Sequence, residues 1–391
     1  MFESGREIFY GARAAAPSLH ALVIGVGGYP FLPGGPRHRV GDGPLWEEMT
    51  QLTSPPRSAL AFAKWLVEGG RGQWTVPVGS VDLLVSCPPG DTLTASLPPA
   101  HIEPTIENIR DAFQSWAARC AAHQDNIALL YFCGHGLQGD GQYLLASDFN
   151  RYSAAPFTQA FDFDETRLAL QQSGPRTQLY VVDACRDSCL ERPHGGVPGL
   201  AVRDFFKANV CENELTIRLP AFDQAQTERH EVSRLTRALI RSLEGQAATP
   251  GELQDSWEVR TDGVRRSIRH LLAEGLGEGG SYRAVEATGF GDVPLYRLDG
   301  PPLAKLTVRC LPPEAAGRTK LACVPQHPPD LPTVDCGTAQ ERGTDEQSIQ
   351  EWRVELTSGF YTVNAHCDST TVSRPHSVWP PHSRLHMQVV T

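Results

Sequence analysis

Through the first three hundred residues, short apolar runs alternate with segments whose apolar positions recur every three to four residues. "ALVIGV" (21–26), "VDLLVS" (81–86), "NIALLYF" (126–132), "TQLYVVD" (177–183) and "LTIRLPAF" (215–222) are the predicted strands. Four of them are almost continuously apolar, the pattern of strands buried on both faces of a sheet. Between them, Thr105 is placed to cap a helix whose Ile106, Ile109, Phe113, Trp116, Ala117 and Cys120 share one face. Ser54 with Pro55 marks the start of a second helix. "EVSRLTRALIRSLEG" carries Val232, Leu235, Leu239 and Leu243 on one stripe and stops at Gly245, and a further helix is expected over residues 264–272. This alternation specifies an α/β fold with a mostly parallel sheet flanked by helices.

After Asp299 the pattern changes to Pro-rich sequence with a period of two: Leu306, Val308, Cys310; Trp352, Val354, Leu356; Tyr361, Val363, Ala365, Cys367; Leu385, Met387, Val389. It predicts a small all-β, sandwich-like C-terminal domain over 300–391, with Ser358 and Gly359 closing a hairpin between two strands. The main domain then covers 18–299, preceded by an N-terminal arm, 1–17.

Composition narrows the partners. The 391 residues carry a net charge of −10, which argues against a nucleic acid or an anionic membrane surface and leaves proteins or small molecules. No apolar run approaches the ~18 residues of a membrane span, and the first residues lack the basic start and apolar stretch of a signal peptide. A cytoplasmic setting is expected, where ten cysteines stay reduced and each is core, ligand or nucleophile.

Two predicted strands end on reactive side chains. "YFCGHGLQGDG" delivers His135 between two glycines, and "VVDACRDS" delivers Cys185. Catalytic groups of a parallel sheet gather beyond the carboxyl ends of its strands. The 50 residues from 135 to 185 suffice for one crossover, with "DETRLALQQSG" as its helix. An imidazole beside a cysteine suits thiol nucleophilic catalysis: it takes the thiol proton and returns a proton to the leaving amine. The backbone N–H groups of Gly136 and Cys185 are in position to form an oxyanion hole.

"YFCGHG" and "DACRD" at two strand ends resemble the caspase-type cysteine peptidases, most closely their bacterial caspase-like and metacaspase branches. "HALVIGVGGYP", "QYLLASDFN" and "EVSRLTRALIRSLEG" extend the resemblance over residues 20–299. It implies a caspase-like sheet, a cysteine endopeptidase acting on a protein substrate, His135 as general acid/base, Cys185 as nucleophile, and no cofactor. Asp183 falls where metacaspases carry an aspartate of the specificity pocket, which implies cleavage after Arg, then Lys. Against this, "QLTSPPRSALAF" lacks a second acidic residue that metacaspases provide there. Arg37 and Arg39 fall near the caspase arginine that holds an aspartate side chain, so acidic specificity is the alternative. The irregular stretch after Cys185 matches the linker cut during caspase activation, with Arg203 as the processing site. An upstream protease or activator protein is then expected, and a role in bacterial antiviral defence or regulated cell death follows from the relatives.

Three other readings carry less. A catalytically silent caspase-like module would keep the fold without the chemistry. A zinc site from Cys185, Cys189, His194 and Cys211 has unfamiliar ligand spacing, and "GVGGYP" lacks the third glycine of a dinucleotide loop. Asp148 reads as a turn cap more readily than as a third catalytic member.

Overall fold

The computed structural model describes residues 7–10, 17–39, 48–69, 72–97, 101–188, 196–219, 230–251, 256–274, 285–342 and 349–389. The chain divides into two compact units, Met1–Ile240 with Ile268–Val293, and Arg241–Ser267 with Pro294–Thr391.

The first unit is built on a seven-stranded sheet: β1 (Glu7–Tyr10), β2 (Leu19–Val26), β3 (Val78–Ser86), β4 (Ile127–Gly134), β5 (Thr177–Ala184), β6 (Asn213–Arg218) and β7 (Glu286–Phe290). Their spatial order is β1-β3-β2-β4-β5-β6-β7. The five inner strands run parallel, and β1 and β7 close the edges antiparallel. The helices are α1 (Ser54–Glu68), α2 (Ile106–Ala121), α3 (Phe163–Gln171), α4 (Arg234–Arg241) and α5 (Thr261–Glu274), the last containing the predicted 264–272.

Strand alternation assigns the helices to faces. Leu22, Ile24, Leu130 and Phe132 share one buried cluster with Ile109, Phe113 and Trp116 of α2 and Phe163 and Leu170 of α3. On the opposite face, the Tyr131 ring meets Phe62 of α1 at 5.1 Å, and its hydroxyl lies 2.6 Å from that of Thr236 in α4. Thr105 caps α2 as its sequence predicts, accepting the Asn108 N–H at 3.3 Å. Helix α4 begins later than the apolar stripe indicates, because Ser233 caps it by accepting the Thr236 N–H at 3.1 Å. Val232 therefore lies outside it. The predicted stop holds: after a wide turn over Ser242–Gln246, Gly245 adopts φ 122°, a value suited to glycine.

The second unit contains two four-stranded sheets. The strands of these two sheets are β8 (Leu303–Leu311), β9 (Thr319–His327), β10 (Val334–Thr338), β11 (Gln340–Arg342), β12 (Ile349–Thr357), β13 (Gly359–Cys367), β14 (Thr370–Val378) and β15 (His382–Gln388), and the unit also holds the paired strands Ala248–Pro250, Trp257–Arg260 and Pro294–Leu298. One sheet has the order β11-β12-β8-β15 and the other β10-β9-β13-β14. Leu306, Val308, Trp352, Leu356, Val363 and Met387 form the core, and Cys310 and Cys367 point into it as the alternation predicts.

The expected hairpin at Ser358 and Gly359 is not there. β12 and β13 belong to different sheets, and the buried Ser358 donates its N–H to the Pro302 carbonyl at 2.7 Å. A Cβ on Gly359 would lie 2.2 Å from the His327 carbonyl oxygen, so the chain crosses between sheets through a gap that only glycine fits. Alternation shows which residues point inward and is silent on strand pairing, so a corner and a hairpin read alike. The hairpin comes one strand later, joining β13 to β14 through Asp368 at φ 51°. Among the described residues no helix is long and apolar enough to cross a membrane.

Candidate active site

β4 and β5 are parallel neighbours in the register Cys133↔Asp183 and Gly134↔Ala184. The next residues of the two chains are His135 and Cys185, and pairing resumes at Leu137↔Asp187. Two residues fifty apart in sequence are thus brought to adjoining positions at one edge of the sheet. Neither flanking glycine uses a left-handed conformation; both serve close approach. A Cβ on Gly136 would lie 2.7 Å from the Cys185 carbonyl oxygen, and one on Gly134 would lie 2.9 Å from the Tyr29 hydroxyl.

The imidazole is held from three sides. Nε2 of His135 lies 2.7 Å from the Thr50 carbonyl oxygen. A carbonyl only accepts, so Nε2 carries the proton and Nδ1 keeps its lone pair. The backbone N–H of His135 donates to the Tyr29 hydroxyl at 2.8 Å, and the Tyr29 ring sits 4.9 Å from the imidazole. Gln51 ties these supports together: its side chain accepts the Tyr29 N–H at 2.7 Å and donates to the Tyr29 carbonyl at 2.9 Å. Burial lowers the His135 pKa, with the Thr50 hydrogen bond acting in the opposite direction. The ring is therefore neutral at pH 7 and able to accept a proton.

Cys185 is half-buried at the end of β5. Burial raises the Tyr29 pKa, and the charges of Cys133 and Cys185 raise it further, so the thiol lies within electrostatic reach of the tyrosine. The following residue, Arg186, is buried and fixes the backbone here. It donates to Gln138 Oε1 at 2.9 Å, to the Leu219 carbonyl at 3.1 Å and to Glu286 at 2.8 Å. Glu286 also accepts from Arg218 at 3.0 Å.

Asp183 is buried beneath this edge. Its carboxylate accepts hydrogen bonds from the Ser233 hydroxyl and, at 3.5 Å, from Thr236. Desolvation raises its pKa to about 6, while bonds from Ser233, Cys133 and Thr236 work downward. Its partners among the described residues are hydroxyls and a thiol, with no cation.

The remaining sequence-derived residues lie on other segments. Arg37 and Arg39 are exposed beside the Phe31 ring, and Arg39 donates to the Arg151 carbonyl at 3.0 Å. Arg203 stacks on Phe205 at 5.0 Å in a loop whose Val202 and Phe206 are almost wholly exposed. Asp148 accepts the Ile106 N–H at 2.9 Å, which satisfies the first amide of α2. Burial pushes the Cys211 thiol up to about 12, and Cys189 and His194 lie outside the described residues. Sequence reasoning missed Tyr29, Thr50 and Gln51. Thr50 acts through its backbone and so leaves no residue-type signal, whereas Tyr29 stood in the quoted "GVGGYP" segment without a role.

A family model described as the caspase domain matches residues 20–263. The chain belongs to the caspase family. A stretch of 227 residues is also 26% identical to the uncharacterized protein y4kE of Sinorhizobium fredii (strain NBRC 101917 / NGR234), a match covering 54% of this chain and 62% of that protein. Membership supports a cysteine peptidase as the kind of function of this caspase domain.

Proposed function

We propose that the protein is a cysteine endopeptidase that works through His135 and Cys185. Nδ1 of His135 takes the Cys185 thiol proton, and the thiolate attacks the substrate carbonyl to form a tetrahedral oxyanion. The N–H groups of Gly136 and Cys185 donate to that oxygen. Collapse breaks the C–N bond as His135 gives its proton to the departing amine, and water, activated by the same imidazole, then hydrolyses the thioester. One observation carries this reading: the Gly134↔Ala184 register leads directly into His135 and Cys185, with the imidazole Nε2–H already committed to Thr50.

Substrate choice is proposed to rest on Asp183. A carboxylate with a pKa of about 6 is mostly ionised at pH 7, and one without a cation among its partners favours a substrate Arg, then Lys. Cleavage after Arg203, within an exposed loop, is the proposed activation step, and the resemblance to bacterial relatives extends the proposal to antiviral defence or regulated cell death. Cleavage-site profiling on a peptide library tests the specificity directly. Products ending in Arg or Lys are expected; products ending in Asp would move the specificity to the arginines near Phe31.

A further inference from the structure

Arg37, Arg39, Arg151, Phe31, Tyr152, Ser153 and Ala154 line an open pocket of about 510 Å³ in the first unit. The guanidinium carbons of Arg37 and Arg39 lie 5.7 Å and 6.0 Å from the centre of the Phe31 ring, and that of Arg151 lies 5.6 Å from Tyr152. Arg39 also donates to the Arg151 carbonyl at 3.0 Å and to Ser153 Oγ at 3.4 Å, joining the two loops that form the pocket. Among the described residues, none of the three guanidiniums pairs with a carboxylate. Asp148 feels the charge of Arg151, yet its oxygen is engaged by the Ile106 amide.

Three converging cations on a chain of net charge −10 stand against the overall field. Stacking on an aromatic face orients a guanidinium and leaves its N–H edge for an acceptor. Because Phe31 and Tyr152 already carry guanidiniums, the rings are not open platforms for a nucleobase, which favours simple anions such as carboxylates. The pocket also adjoins the site through the chain itself. Phe31 follows Tyr29, which braces His135, by two residues, and the Arg37 N–H donates back to the Pro30 carbonyl at 2.8 Å.

We propose that this pocket is an exosite that binds an acidic segment, rich in Glu or Asp, of the protein to be cleaved, outside the scissile position. The proposal rests on the peptidase reading for its substrate. It separates the two kinds of arginine-related recognition: Asp183 takes a basic side chain at the cut, and Arg37, Arg39 and Arg151 hold carboxylates elsewhere on the same polypeptide.

Direct binding tests it without any catalytic readout. Fluorescent peptides carrying either a Glu run or a matching Gln run are titrated by anisotropy against the full chain and against Arg37→Glu/Arg151→Glu, which keeps the Arg39 hydrogen bonds. At roughly two- to fivefold per exposed guanidinium, the wild type is expected to bind the Glu peptide about tenfold more tightly, a preference weakened by salt and lost in the variant. Equal binding of the two peptides, or a preference that survives the reversal, overturns the exosite. In the companion cleavage assay, an acidic extension on an Arg reporter lowers KM. Cleavage indifferent to the extension counts against the exosite, whereas absence of cleavage of every reporter alongside intact Glu-peptide binding counts against the dyad alone.

Discussion

The two units bury apolar cores of similar character and use their strands for different ends. In the first, five parallel strands deliver their carboxyl ends to one edge, so residues far apart in sequence, His135 and Cys185 among them, meet there. In the second, most neighbours are antiparallel, the thiols of Cys310 and Cys367 point into the core, and side chains divide simply between inside and outside. The comparison teaches that chemistry in this chain depends on topology at a strand end, and stability on the alternation along strands. Substitutions should separate the two.

The largest separation is expected for His135→Ala, which removes the proposed general acid/base. Cleavage should fall by roughly 10²–10⁴, while circular dichroism and the urea midpoint stay near wild type because the side chain lies at the sheet edge. Leu306→Ala should do the reverse. It empties part of the buried β core and should cost about 2–5 kcal/mol, read as a lower denaturation midpoint; a midpoint unchanged would contradict the packing described for the second unit.

Asp183→Asn is predicted to reduce kcat/KM for Arg reporters by ~30-fold or more, since it removes the carboxylate that would pair with a desolvated substrate cation. The pH dependence has a defined sign. If ionised Asp183 binds the guanidinium as proposed, KM for Arg reporters should rise as pH falls through about 6, and this rise should vanish in the Asn variant. Stability runs the other way: the raised folded pKa gives a contribution complete below the unfolded value and lost as pH rises through about 6. The variant should therefore gain most, relative to wild type, above that pH. His135 adds its own limb, placed below the ordinary histidine range because burial lowers its pKa.

The smallest expected effect is that of Tyr29→Phe. Losing the hydroxyl that accepts the His135 N–H should lower kcat by about two- to tenfold, with KM little changed, since Tyr29 acts on the imidazole's position rather than on the substrate.

Much of the first unit was legible because its strands are apolar throughout and its helices periodic; β2 to β5 fall where the runs predicted, and Thr105 caps α2. Thr50 was not, since a carbonyl can come from any residue type. Gly134 and Gly136 were legible as glycines flanking His135, but their close neighbours, the Tyr29 hydroxyl and the Cys185 carbonyl, needed the fold. In the second unit the inward positions were legible and the pairing was not, so the crossing at Ser358 and Gly359 read as a hairpin. The cluster of Arg37 and Arg39 with Arg151 needed the fold, because it joins segments more than a hundred residues apart.

The central claim, that the edge shared by β4 and β5 presents Cys185 as a nucleophile, is tested most directly by an electrophilic peptidyl-arginine probe followed by peptide mapping. The account predicts one equivalent of adduct on Cys185, abolished in Cys185→Ala and strongly slowed in His135→Ala. Stoichiometric labelling of another cysteine, or labelling of Cys185 at the same rate without His135, would contradict it.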